Sequence, residues 1–458
     1  MTKIKGRLTV RMYRVGFGDF FLLNVPTPDG PQYILIDCGV TPGTTHNGDI
    51  GTIKEAVAHM ARETKNKLAL IIVTHRHMDH IIGFSRCPEF KDIEVESIWM
   101  PYWESEYDEA VKFQASLTEL ATDMQHHLAF SAHKTAEVDE LLGMLRNATG
   151  LEDEELFAAA GTTPGKGGGT NAKSLAMLKN GFGVKPEYYK KGDVPKLPKS
   201  LEDSGLEAVI LGPPPPDAMD FMKLNDLKKG VGQYLGSDEG SGTQSKIFEP
   251  FGKMWRTDAT SYPESAFREW LPRVEDPKAK PAHERLAAAV NAAQPAILLT
   301  AVKELEHSLN NQSLVVLFTL KGKKLLFVGD AQAGNWTYWM YGGSPTKTPS
   351  LDDLSAEGKS VLRNLDFYKV GHHGSTNATP ITAVDAMGGT FISMCSTQAD
   401  TYGNPEKGTE VPRDPLLAAL AKKSTVVRSD APGELDGFVV TDLYVEFVVK
   451  DLYVEYEV

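Results

Sequence analysis

Four side chains able to hold divalent cations fall within six residues: His75, His77, Asp79 and His80, in the run HRHMDH. Imidazoles with a carboxylate suit zinc and its neighbours. His75 and His77, two apart on extended backbone, point the same way, whereas Asp79 and His80 lie where the chain turns onward. One loop can therefore serve two neighbouring ions. A polar surface loop that gathered histidines by chance is the plain alternative. Its position directly after the apolar run Leu68–Val73, at the end of a buried strand, weighs against that.

The surrounding elements must position this loop. Residues 7–39 read as strand, turn, strand, strand, with a Pro/Gly turn at PTPDGP. Ile50 to Thr64 reads as an amphipathic helix outside the sheet, and Val95 to Tyr102 as another strand. Tyr107 to Leu145 has apolar residues at helical spacing and predicts two long helices, on which His126, His127 and His133 have no partner ligand at fixed spacing. GTTPGKGGG at 161–169 lacks the spacing of a phosphate loop and reads as a linker. Strand character returns at Leu206 to Leu211, and residues 217–295 look irregular and partly helical. From Gln312, SLVVLFTL, a GKG turn and KKLLFVGDA predict a hairpin ending at Asp330. A strand leads to His372 and His373, and a further strand, helix and strand follow. The near-repeat DLYVEF at 442–447 and DLYVEY at 451–456 predicts a terminal hairpin closing a sheet edge.

With 458 residues the chain holds two domains or one with a large insertion. A net charge of −13 argues against a broad nucleic-acid face, although not against a local basic groove. Cys38, Cys87 and Cys395 form no CxxC pair, which fits a reducing compartment. With no signal-peptide pattern and no long apolar run, the expectation is a cytoplasmic protein without a membrane span.

HRHMDH resembles the HxHxDH signature of the metallo-β-lactamase superfamily. VGFGDFFLLNV with ILIDCG, the GD at Asp330 and KVGHHGS narrow the resemblance to the hydrolase domain of its ComEC/Rec2-type branch, over roughly 1–100 and 300–440. The resemblance implies an α/β fold, a four-layer αββα sandwich, here with a mostly helical insertion. The expected division is 1–100 for the first half, 101–300 for the insertion with one or two core strands, and 301–458 for the second half. It implies two divalent cations, zinc first and manganese second: His75 and His77 on one, Asp79, His80 and one of His372 and His373 on the other, and Asp330 bridging both. His372, the first residue past the strand and its Gly371, is preferred. Asp37 is then expected to orient loop histidines, with His373 in support.

Three departures bear on that implication. Where the superfamily usually has a further histidine ligand, this chain reads LEHSLNNQS, which places Asn310 at the site as a hydrogen-bond donor and leaves His307 as an alternative ligand. His77 stands where the branch often has Asp, and Asn404 where it often has His. Two such cations hold a hydroxide between them and favour hydrolysis. The expected activity is therefore that of a phosphodiesterase or nuclease-like hydrolase of small nucleotides or single-stranded nucleic acid, with Asp79, His372 and Asn310 in catalytic roles. Hydrolysis of carboxylic esters, thioesters, lactones or amides is the alternative, and a non-catalytic metal-binding scaffold or sensor the third. The fold alone does not choose among these.

Overall fold

Runs of apolar residues form the strands, and where both faces are covered those runs are nearly continuous. The computed structural model describes residues 6–41, 53–129, 136–151, 170–222, 295–344, 350–403, 405, 408–432, 447–449 and 452–458. Its strands are β1 (Thr9–Tyr13), β2 (Phe21–Thr27), β3 (Gly30–Ile36), β4 (Lys67–Ile72), β5 (Glu94–Pro101), β6 (Glu187–Tyr189) and β7 (Leu206–Gly212). They continue with β8 (Val315–Leu320), β9 (Lys323–Phe327), β10 (Phe367–Lys369), β11 (Phe391–Cys395), β12 (Ser424–Arg428), β13 (Phe447–Val449) and β14 (Tyr453–Glu457). The longer helices are α1 (Ile53–Glu63), α2 (Met78–Arg86), α3 (Asp108–Ala129), α4 (Ala136–Thr149) and α5 (Thr170–Asn180). After them come α6 (Pro295–Asn310), α7 (Ala333–Met340), α8 (Ala356–Leu362), α9 (Ile381–Ala386) and α10 (Asp414–Ala421).

The protein is an α/β structure of two mixed sheets, ordered β13-β14-β1-β2-β3-β4-β5-β6 and β12-β11-β10-β9-β8-β7. Strands β3 to β6 run parallel, as do β9 to β12, whereas the hairpins at the other ends are antiparallel. The sheets face each other across one core, in which Phe21 of the first meets Phe327 of the second at 6.0 Å between ring centroids. On the outer face of the first sheet, Ile53, Val57 and Met60 of α1 and Ile81 and Ile82 of α2 are buried; on that of the second, Trp336 and Trp339 of α7 and Leu416 and Leu420 of α10. Burying such side chains is worth roughly 1.5–3 kcal/mol each, so the layers are held chiefly by apolar area.

Residues 101–300 contribute β6 and β7, one strand to each sheet, and the helices α3, α4 and α5. Helix α6 crosses the expected boundary at 300, because its Ala301, Val302, Leu305 and Leu309 pack with Leu117 and Leu120 of α3 and Leu141 and Leu145 of α4. The expected linker at 161–169, residues 223–294, His133 and Asn404 lie outside the described residues. The described part of the tail pairs β13 with β14 and β14 with β1 at the edge of the first sheet, and residues 442–446 of the expected first arm lie outside the described residues. The three cysteines are buried and free. Among the described residues no helix is long and apolar enough to cross a membrane.

Candidate metal centre

Parallel strands from both sheets end at one place, and open α/β sheets gather their ligands beyond such carboxyl ends. Asp37 follows β3, the histidine loop follows β4, Asp330 follows β9 and the His372–His373 pair follows β10. The packing there is backbone against backbone. Cys38 N donates to His80 O and Asp19 N to Asp79 O at 2.8 and 2.9 Å. A Cβ on Gly39 would lie 2.1 Å from the carbonyl carbon of Asp79. Gly39→Ala is therefore expected to destabilise the fold by about 3 kcal/mol, read as a lower urea midpoint; an unchanged midpoint contradicts this contact.

Alternation along the loop separates its side chains. Arg76 turns away to Glu104, with contacts of 2.6 and 2.8 Å, while His75 Nε2 and His77 Nδ1 converge to 3.0 Å on the other side. The insertion helices fix the loop's backbone: Asn171 Nδ2 donates to Arg76 O at 3.0 Å, and Asp79 N donates to Asn147 Oδ1 at 3.1 Å. Behind the loop, the Asp37 carboxylate accepts from Thr74 N, Thr74 Oγ1 and His80 Nδ1 at 2.8, 2.6 and 2.8 Å. With Nδ1 as donor, His80 presents Nε2 forward, 3.1 Å from Asp330 Oδ2 but out of line for a hydrogen bond.

The strand following Asp366 delivers two histidines with different roles. Both adopt positive φ, 42° for His372 and 51° for His373, so the rings diverge. His373 Nδ1 donates to Ser396 O at 2.8 Å, and its Nε2 lies 3.0 Å from Asp79 Oδ2 and 3.4 Å from Asp330 Oδ2. His372 Nε2 stays 4.0 Å from Asp330, and its side chain is 23% exposed, open to an incoming molecule. Ligand-type atoms of Asp79, His80, Asp330 and His373 all lie within 4.8 Å of one another, a group that takes in His373 and not the preferred His372. His307, half-buried on α6, is in neither of the two potential cation-holding groups found among the described residues. The second group, Asp19, Asp37 and His80, lies behind the first, and there Lys369 pairs with Asp19. Asn310 is buried with Nδ2 3.4 Å from His372 Nε2.

Three further residues of the site have no role assigned from sequence, although two of them, Asp19 and Lys369, lie inside VGFGDFFLLNV and KVGHHGS. Asp19 pairs with the buried Lys369, whose Nζ also donates to Gly329 O at 3.0 Å and approaches Asp330 Oδ1 at 3.5 Å. A lone lysine inside the apolar run FYKV was the available signal. Glu306 lies four residues before Asn310, hence on the same face of α6, with Oε1 3.7 Å from His77 Nε2.

The electrostatics suit a cation. Burial disfavours charge on His80, but Asp330, Asp37, Asp79 and Asp19 outweigh it and hold its pKa well above the ordinary imidazole range. His373 is raised to about 10 against burial, chiefly by Asp330 and its bonds to the carboxylates. Asp79 and Asp330 are lowered despite burial, both mainly by His80 and His373. Burial lowers His77 to about 4 and His75 well below its usual value, which leaves neutral donors beside an acidic cluster. Among the described residues, buried His77 Nε2, Asp79 Oδ1 and His80 Nε2 have no hydrogen-bond partner. No family model matches this chain, and no curated protein matches it.

Proposed function

We propose that this chain is a hydrolase of the metallo-β-lactamase fold that uses two divalent cations, zinc first and manganese second, to cleave small phosphodiesters. The carrying observation is the group of Asp79, His80, Asp330 and His373, set beside His75 and His77 whose ring nitrogens converge. These residues fit such a pair: neutral imidazoles, buried carboxylates and orphaned donor atoms are what a cation satisfies. His75 and His77 would hold one ion, Asp79, His80 and His373 the other, with Asp330 shared. Bound there, the cations supply Lewis acidity and lower the pKa of water.

The chain's own groups do the rest. Asp37 keeps His80 in the tautomer that presents Nε2, and Ser396 O does the same for His373. His372 stands at the solvent side with Nδ1 2.8 Å from Ser375 Oγ and 3.0 Å from Asn377 Oδ1, an arrangement that leaves Nε2 to exchange a proton with a substrate oxygen. Asn310 Nδ2 can then orient that oxygen or the ring. Phe17, tilted against His373 with ring centroids 4.3 Å apart and edge-on to Tyr402 at 4.8 Å, walls the site with apolar surface. The chain's acidity favours small nucleotides over long nucleic acid.

The test is hydrolysis of bis(p-nitrophenyl) phosphate by the purified protein with zinc or manganese. Turnover is expected to fall about 100-fold or more in Asp79→Ala, and to fall in His372→Ala with both cations retained. Cation uptake without phosphodiester turnover shifts the reading to carboxylic esters, thioesters and amides; no turnover on those either leaves a scaffold or sensor.

A further inference from the structure

Two buried polar atoms face each other at the boundary between the catalytic layers and the helical cap. His77 Nε2 and Glu306 Oε1 are 3.7 Å apart, and neither has a hydrogen-bond partner among the described residues. The other nitrogen of the same ring, Nδ1, is turned toward His75 Nε2 at 3.0 Å. An imidazole that gives Nδ1 to a cation must carry its proton on Nε2, and that proton needs an acceptor. Glu306 Oε1 is the oxygen in front of it, and an approach of about 1 Å makes the bond.

We infer that Glu306 is the positioning residue for His77: it fixes the ring in its Nε2–H tautomer and so completes the cation site built on His75 and His77. The inference rests on the two-cation reading above. It explains how a site whose expected third histidine is replaced by Asn310 holds its ring in place. It also gives the cap a role beyond covering. Helix α6 packs Val302, Leu305 and Leu309 against α3 and α4, while Glu306 and Asn310, four apart, turn to the site. The cap's own packing therefore sets where the acceptor for His77 stands.

Zinc titration of the full chain, followed by calorimetry and by metal content after gel filtration, decides the matter. Wild type is expected to take up two ions. Glu306→Ala should weaken one ion by about 10–100-fold and leave the other unchanged, with Glu306→Gln, which keeps an oxygen acceptor, in between. Thermal melts of the metal-free proteins control for folding, and if the alanine variant unfolds the isosteric glutamine variant decides. Two ions held at wild-type affinity in the variants overturn the inference, as does equal weakening of both, which marks a merely structural role. A wild-type chain that takes up no ion overturns the hydrolase reading itself.

Discussion

Asp330→Asn is expected to remove both cations together and to abolish hydrolysis. Its Oδ2 lies 3.1 Å from His80 Nε2, 3.4 Å from His373 Nε2 and 4.0 Å from His372 Nε2, and its charge also raises the proton affinity of His75 and His77. Asp79 shares part of that field, with Oδ2 3.0 Å from His373 Nε2 and a charge that also raises His77, but Asp330 is the carboxylate that bears on His75 as well. Asparagine keeps the volume and loses the charge, so the change is electronic rather than a matter of packing. Affinity should fall by more than about 100-fold for both ions, since even an outer partner is worth 10–100-fold. Turnover of bis(p-nitrophenyl) phosphate should fall on the order of 1,000-fold. Metal content and rate, measured on the same sample, check this; a variant that keeps one ion at full affinity shows that the carboxylate is not shared.

Cation binding is expected to release about two protons at pH 7 and to tighten as pH rises, up to about tenfold per unit for each proton displaced. The source is His80 and His373, whose pKa values are both raised in the metal-free protein, that of His373 to about 10. The sign for stability follows. A folded pKa near 10 for His373 against an unfolded value of about 6.5 gives a stabilisation complete below the unfolded value and lost as pH climbs toward 10. On the acid side, His77, lowered to about 4, works the other way, and Asp79 and Asp330 lose their stabilising charge as pH falls through their lowered values. Melts in a chelator should therefore fall between pH 7 and 9, while the gain from added zinc grows. A zinc increment that is flat with pH would remove His80 and His373 from the ligand set.

Local order made half of this legible. A buried strand followed by HRHMDH is a contiguous signal, and the GKG turn predicts its hairpin because Lys321 and Gly322 take the positive φ that such a turn needs, 51° and 85°. What stayed hidden depends on distant contacts. Nothing beside Asp19 reveals that Lys369 will reach it, and nothing in GHHG tells which ring turns inward until both residues adopt positive φ. Glu306 looked like any helix carboxylate, because only the packing of α6 on α3 and α4 aims it at His77. Helix α6 runs across the expected boundary at 300 to Asn310, where apolar spacing blends into the following strand.

Strand β14 lies along β1, with Arg11 bound to Glu455 across 444 residues of chain. During synthesis at about 5–20 residues per second, β1 therefore waits on the order of half a minute or longer for its outer neighbour. Through that interval its open hydrogen-bonding edge is a template for any passing strand. The ribosome-bound chain thus carries its histidine loop on an unfinished sheet, and Asp330 and His373 emerge well before the edge is sealed. Assembly of the centre and protection of the edge are separate events in the life of a nascent chain.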